Sequence, residues 1–194
     1  MKIYKIRGDY DHFDGCGVDY DAVGDKWVFA PHTSPMNSAS TEPYGDTWWP
    51  RPIEKYGSKK KKIGDFVPSI GNNILVMNKF AIDALKDIMG SFEILPLECD
   101  FGEYSGVHIL NFADCIDYDK SEFNMFSSNC YLPNGHPRVM NFTKQVFIAE
   151  NIAGKHIFKD IDQPWIIPYV DELFVETVKK NNITGFSFEL LWES

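Results

Sequence analysis

Apolar and polar residues alternate along the opening stretch MKIYKIR and again along the closing ITGFSFELLWES, and that period of two predicts a strand at each end of the chain. In the closing strand Phe186, Phe188, Leu190 and Trp192 share one face, while Ser187, Glu189, Leu191 and Glu193 take the other. The period changes in VMNKFAIDALKDIMG, where Phe80, Ala81, Ala84, Leu85 and Ile88 line one helical face, Asn78 caps the start and Gly90 ends the helix. FEILPLEC and YSGVHILNF read as two strands joined by the acidic turn DFGE. EFNMF adds a further strand and NCYLPNGHP a loop. VMNFTKQVFIAENIAG reads as a strand running into a short helical turn, and HIFKDI and PWIIPYV as two short extended pieces. Asp171 caps a second helix, ELFVETVKKN, with Leu173, Phe174 and Val178 inward and Lys179 and Lys180 at the carboxyl end, where the helix dipole favours cations.

The first third is patterned differently. GDYDHFDGCGVDYDAVGDKW carries six Asp and four Gly, which predicts a loop, and PHTSPMNSASTEPYG reads as an exposed connection. GDTWWPRPIEKYG, with two tryptophans and two prolines, predicts at best an edge strand or an extended arm, and the lysine run Lys59 to Lys62 a solvated turn. No fixed period recurs, and strands do not alternate regularly with helices. The expected fold is therefore α+β, a mixed or mainly antiparallel sheet packed with two principal helices. At 194 residues the chain reads as one domain, with residues 1–60 loop-rich and 61–194 better specified.

A hydrophobic content of 44% excludes a disordered chain, and no stretch approaches the ~20 apolar residues of a membrane-spanning helix. The charged opening fits neither a signal nor a transit peptide, so a cytoplasmic location is expected. The net charge of −9 argues against nucleic acid as a direct ligand, because phosphate binding needs a basic face, and favours a basic protein partner instead. Cys16, Cys99, Cys115 and Cys130 form no C-x-x-C pair and have no histidines at zinc-ligand spacing; they read as reduced thiols.

Motifs for catalysis are weak. GCGVDY has two glycines of a dinucleotide fingerprint but Tyr20 in place of the third. Asp9 and Asp11 open like an EF-hand loop, yet Phe13, Asp14 and Tyr20 stand where a ligand, a glycine and a bidentate Glu belong, which leaves only a looser divalent site open. His12, His32, His108, His136 and His156 are scattered, and Glu98, Asp100 and Glu103 flank a turn where a paired-carboxylate site would need them to converge. No catalytic residues, metal ligands or cofactor are assigned.

Taken in order, GDTWWP, GDFVPSIGNNILVMNKFAIDALKDIMG, EILPLECDFGEYSGVHILN and TGFSFELLW resemble a bacterial family first catalogued as a domain of unknown function and later assigned, by gene neighbourhood, as immunity proteins of polymorphic toxin systems. The resemblance is strongest from Gly64 to Asn111 and from Phe147 to Trp192, and loose from Asp9 to Pro43. It implies a non-enzymatic toxin inhibitor whose partner is a cognate, cytosol-acting protein toxin, and it brings no catalytic residue set with it. Candidate partner-binding residues are the acidic Asp9, Asp11, Asp14, Asp19, Asp21 and Asp25, which would steer a basic partner, together with Trp48 and Trp49 on the exposed arm. A regulatory or small-ligand-binding module and a carboxylate-based enzyme stay open beside this reading. The oligomeric state is not encoded in any pattern of the sequence.

Overall fold

A computed structural model of the chain describes residues 1–19, 21, 41–57, 61–68, 74–127 and 130–194. The fold is α+β. One sheet joins five strands in the order β13 (Phe186–Glu193), β1 (Lys2–Gly8), β12 (Tyr169–Asp171), β11 (Ile157–Asp160) and β8 (Phe112–Ala113). A second joins six in the order β2 (Gly15–Val18), β3 (Arg51–Tyr56), β6 (Phe92–Cys99), β7 (Tyr104–Ile109), β5 (Ile74–Asn78) and β4 (Phe66–Val67). β9 (Glu122–Met125) and β10 (Val139–Lys144) pair separately. Pairing is antiparallel except where β3 meets β6 and where β11 meets β8.

Two principal helices, α1 (Lys79–Leu85) and α3 (Glu172–Lys180), lie over the sheets, and a single turn, α2 (Ala149–Ile152), separates them in the chain. β5 runs straight into α1. The Asn78 side chain accepts from the Ala81 amide at 2.9 Å, which fixes where the helix starts and therefore its phase. Ala81, Ile82 and Leu85 turn inward as a result, and Phe80, expected inside, stands 52% exposed. The same correction applies to α3: Asp171 caps it through the Phe174 amide, burying Phe174, Val175 and Val178, while Leu173 faces solvent. Lys179 and Lys180 do occupy its last turn.

The main core is shared by both sheets and both helices. Ile6, Leu75, Met77, Leu85, Val107 and Phe174 belong to it, so neither sheet closes a core alone. Burial of this kind contributes about 1.5–3 kcal/mol per large apolar side chain. A second core under the other face of the five-stranded sheet gathers Ile3, Phe147, Phe158 and Tyr169.

The closing strand serves both. Phe186 and Phe188 stack on each other and pack against Phe174, but the register slips between Ile3 and Tyr4, where Leu191 is the extra residue on β13. Past that bulge Trp192 pairs with Ile3 and joins the second core, and Leu190 is left half-exposed. The strict alternation expected of ITGFSFELLWES therefore holds only to Phe188.

Two further expectations change. GCGV, expected as loop, is strand β2, and the segment around Pro52, expected at a sheet edge, is an interior strand between β2 and β6. Pro52 lies one residue into β3, and its carbonyl accepts from the Asp19 amide, so the missing proline donor costs little.

The sheets are joined at a seam formed by the turn before β13. Thr184 donates its amide and hydroxyl to one Asp65 oxygen at 2.8 and 2.6 Å, Asn78 donates to the other at 2.8 Å, and the Phe66 amide bonds the Thr184 carbonyl. Burial acts to raise the Asp65 carboxyl pKa, but these donors outweigh it and hold it below its ordinary value.

Candidate partner surface

One face of the six-stranded sheet is only partly covered. Across β3, β6 and β7 the pairs Arg51–Leu97, Ile53–Cys99 and Glu93–His108 point to the outer face. Pro52, Glu54 and Tyr56 of β3 and Ile94, Pro96 and Glu98 of β6 therefore point to the opposite, inner face. The main core and its helices cover that inner face over β5 and β7. Over β6 and β3 it stays open, with Ile94 50% and Tyr56 63% exposed.

Where α1 meets this open face there is a groove of about 620 Å³. Ile82 and Ile94 supply an apolar floor, and Glu98, Glu103 and Asp83 an acidic rim. Asp83 is already paired with Lys79 at 2.8 Å, whereas Glu98, Asp100 and Glu103 are exposed at the β6–β7 turn and make no ion pair among the described residues. Burial, and after it the charge of Asp100, pushes the Cys99 thiol beside the groove up to about 11, so it is protonated at neutral pH and not a nucleophile. His108 does not join Glu98 and Glu103. It is wholly buried on the other face, with Nδ1 3.6 Å from Glu93 and its ring 4.8 Å from that of Tyr44.

The acidic segment is divided by the fold. Asp11 and Asp21 are exposed and Asp19 is half-buried. Asp9 binds His12 at 2.9 Å and receives the Phe13 amide on its carbonyl, which closes the turn. Asp14 is 3% exposed and meets Lys55 at 2.8 Å, so its charge is neutralised inside the fold and steers nothing. Asp25 lies outside the described residues, as does most of the expected exposed connection. Asp19 bonds the backbone of Pro52, and Pro52 is in turn paired with Glu98, so Asp19 shares one end of the sheet with the acidic groove, whereas Asp11 precedes β2 at the Tyr56 end of β3.

Trp48 and Trp49 are half-buried rather than displayed. Trp48 donates its indole N–H to the Pro96 carbonyl at 2.9 Å and stacks against Arg51, whose guanidinium lies 4.4 Å from the ring centre. Glu93 accepts the Tyr44 and Gly45 amides at 2.8 Å each. The arm is thus a strap fastened across the outer face.

A second polar cluster escaped the sequence because its members are far apart along the chain. Asp162 is buried, accepting from Asn134 at 2.7 Å on one oxygen and binding His136 at 2.6 Å and Tyr118 at 3.2 Å on the other. The bond to Asp162 raises the His136 pKa, and burial raises that of the neighbouring Asp160 to about 6. Asp114, His136 and Asp162 bring one donor atom each within 4.8 Å of one another, an arrangement able to hold a divalent cation. Asp162 already has both oxygens engaged, and the direct work of the cluster is to pin the loop around residues 130–138 to the body of the protein. All four cysteines are free thiols. Among the described residues no helix is long and apolar enough to cross a membrane.

No curated protein matches the chain. Residues 103–191, just under half its length, match the model of an immunity protein family, Imm11. The matched stretch begins at the β6–β7 turn, takes in the whole five-stranded sheet except β1 and the end of β13, and includes the 130–138 loop.

Proposed function

We propose that this chain is an immunity protein and works by binding: it neutralises a cognate bacterial toxin in the cytosol by direct contact, without turnover and without a cofactor. The family match over residues 103–191 carries the reading. Two structural features support it. The carboxylates of the β6–β7 turn are exposed, and His108 of the adjoining strand is buried on the opposite face and does not converge with them. The surface that is open combines apolar floor with unpaired negative charge, the composition that gives a protein interface both an anchor and steering.

In cells, co-expression with the toxin encoded by the neighbouring gene should restore growth, and the purified protein should show no hydrolytic activity of its own. Failure to protect, or an activity lost in Glu98→Gln or Glu103→Gln, overturns the reading. The partner is expected to be basic. Changing the exposed Asp11 and Asp21 and the half-buried Asp19 to Asn should slow association roughly tenfold at low ionic strength and flatten its salt dependence, since exposed charges are screened over about 8–10 Å near physiological salt. Unchanged association kinetics would remove this segment from the encounter surface.

A further inference from the structure

We infer that the groove between α1 and the β6–β7 hairpin is the docking site for a basic segment of the toxin, which lays an arginine or lysine across it. This rests on the toxin-binding reading above and names the surface that performs it. Three observations converge on that occupant. The floor of Ile82 and Ile94 is apolar, and Ile94 is half-exposed although it sits in mid-strand. Apolar surface rimmed by polar residues is the composition that marks an interaction site. The rim is acidic: Glu98, Asp100 and Glu103 stand at one end with no cation bonded to them among the described residues, while Lys79, the cation lining the other end, is tied to Asp83.

The chemistry of the occupant follows from that division. An aliphatic stem ending in a cation matches an apolar floor ending in carboxylates, and arginine, with its planar fork of donors, satisfies paired carboxylates best. At about 620 Å³ the groove is larger than one side chain, so a segment of the partner enters rather than a lone residue. The strand order extends the negative field beyond the rim. Asp19, just past β2, bonds Pro52 of β3, and Pro52 pairs with Glu98 of β6, so Asp19 and the acidic turn add to the negative field at the same end of the sheet.

The test uses the full-length protein co-expressed with the neighbouring toxin, followed by binding kinetics of the purified pair. Glu98→Gln/Asp100→Asn/Glu103→Gln should weaken binding tenfold or more. Ile94→Arg, which places a competing cation on the floor, should weaken it a hundredfold or more and abolish protection. Glu122→Gln/Glu150→Gln/Glu176→Gln removes the same charge from exposed positions on β9, α2 and α3 and should leave binding within about threefold of the parent. If Ile94→Arg fails to fold by circular dichroism, the two charge-matched triple variants decide the matter alone. A parent that protects while both groove variants protect equally well overturns the groove and leaves the toxin-binding reading standing. Equal weakening by the two triple variants also overturns it, since net charge alone would then explain the effect. A parent that does not protect overturns both readings.

Discussion

Gly185→Ala should lower the melting temperature by roughly 10 °C, for a loss of about 3–5 kcal/mol against a typical total of about 5–15. Gly185 has φ +92°, a conformation that L side chains rarely adopt, and holding one there costs about 1–3 kcal/mol. A Cβ at this position would also drive into the Phe66 carbonyl oxygen, which is backbone and is held by pairing between β4 and β5, with the Gly64 Cα close behind. Neither neighbour can yield without parting the two sheets at the Asp65–Thr184 seam. Gly17→Ala is the internal control: a Cβ at Gly17 meets nothing within 4 Å, and the change should stay within about 1 kcal/mol. A Gly185→Ala protein that melts with the parent would mean that the turn before β13 does not pack on β4 as described.

Lys159→Met should move stability the other way, by about 2–5 kcal/mol. Lys159 on β11 is wholly buried, its ammonium has no hydrogen-bond partner among the described residues, and the Phe112 ring lies 5.7 Å from Nζ. Burial lowers its pKa from 10.5 to about 7. A cation whose folded pKa lies below its unfolded one destabilises the fold. The penalty is present in full below pH 7, shrinks as pH rises from 7, and is gone above about 10.5. The parent should accordingly gain about 2 kcal/mol between pH 7 and pH 9, measured by urea denaturation, after correction for the Met variant, which lacks this titration. Methionine keeps the volume and the flexible stem and removes only the charge. A variant less stable than the parent, or a parent with no gain toward pH 9 relative to the variant, would mean that the ammonium has an acceptor in solution.

The elements themselves were largely legible in the sequence. The hairpin FEILPLEC–YSGVHILNF and the capped ELFVETVKK form where the patterning places them, and the helix expected in VMNKFAIDALKDIMG starts at its Asn78 cap but ends at Leu85, short of Gly90. Misreadings arose where a neighbour sets the phase. Phe80 and Leu173 are apolar and adjacent to true core positions, and only the cap that fixes each helix start decides which of them turns inward. A bulge cannot be read from alternation, and it is the bulge that carries Trp192 to the face opposite the one its spacing predicts. GCGV lacks the β-branched run of a strand and is recruited by β3, a tertiary choice that local propensity does not contain.

The candidate site was legible only in its parts. Glu98 and Glu103 were visible as an acidic turn, but their convergence with Ile82 and Ile94 depends on how α1 crosses the sheet. The same holds for Asp14, which reads as one of six similar aspartates until Lys55 is brought to it from the neighbouring strand. Asp114, His136 and Asp162 show the limit most clearly, since no spacing in the chain announces them.

Mixing the purified protein with purified toxin and following both the stoichiometry of the complex and the intact mass of the toxin puts inhibition by binding to its most direct test. A stable stoichiometric complex in which the toxin is inactive, with its mass unchanged and its activity recovered on dissociation, is the expected result. A toxin that is cleaved or chemically altered by substoichiometric amounts of the protein, or that keeps its activity with no complex formed, would contradict it.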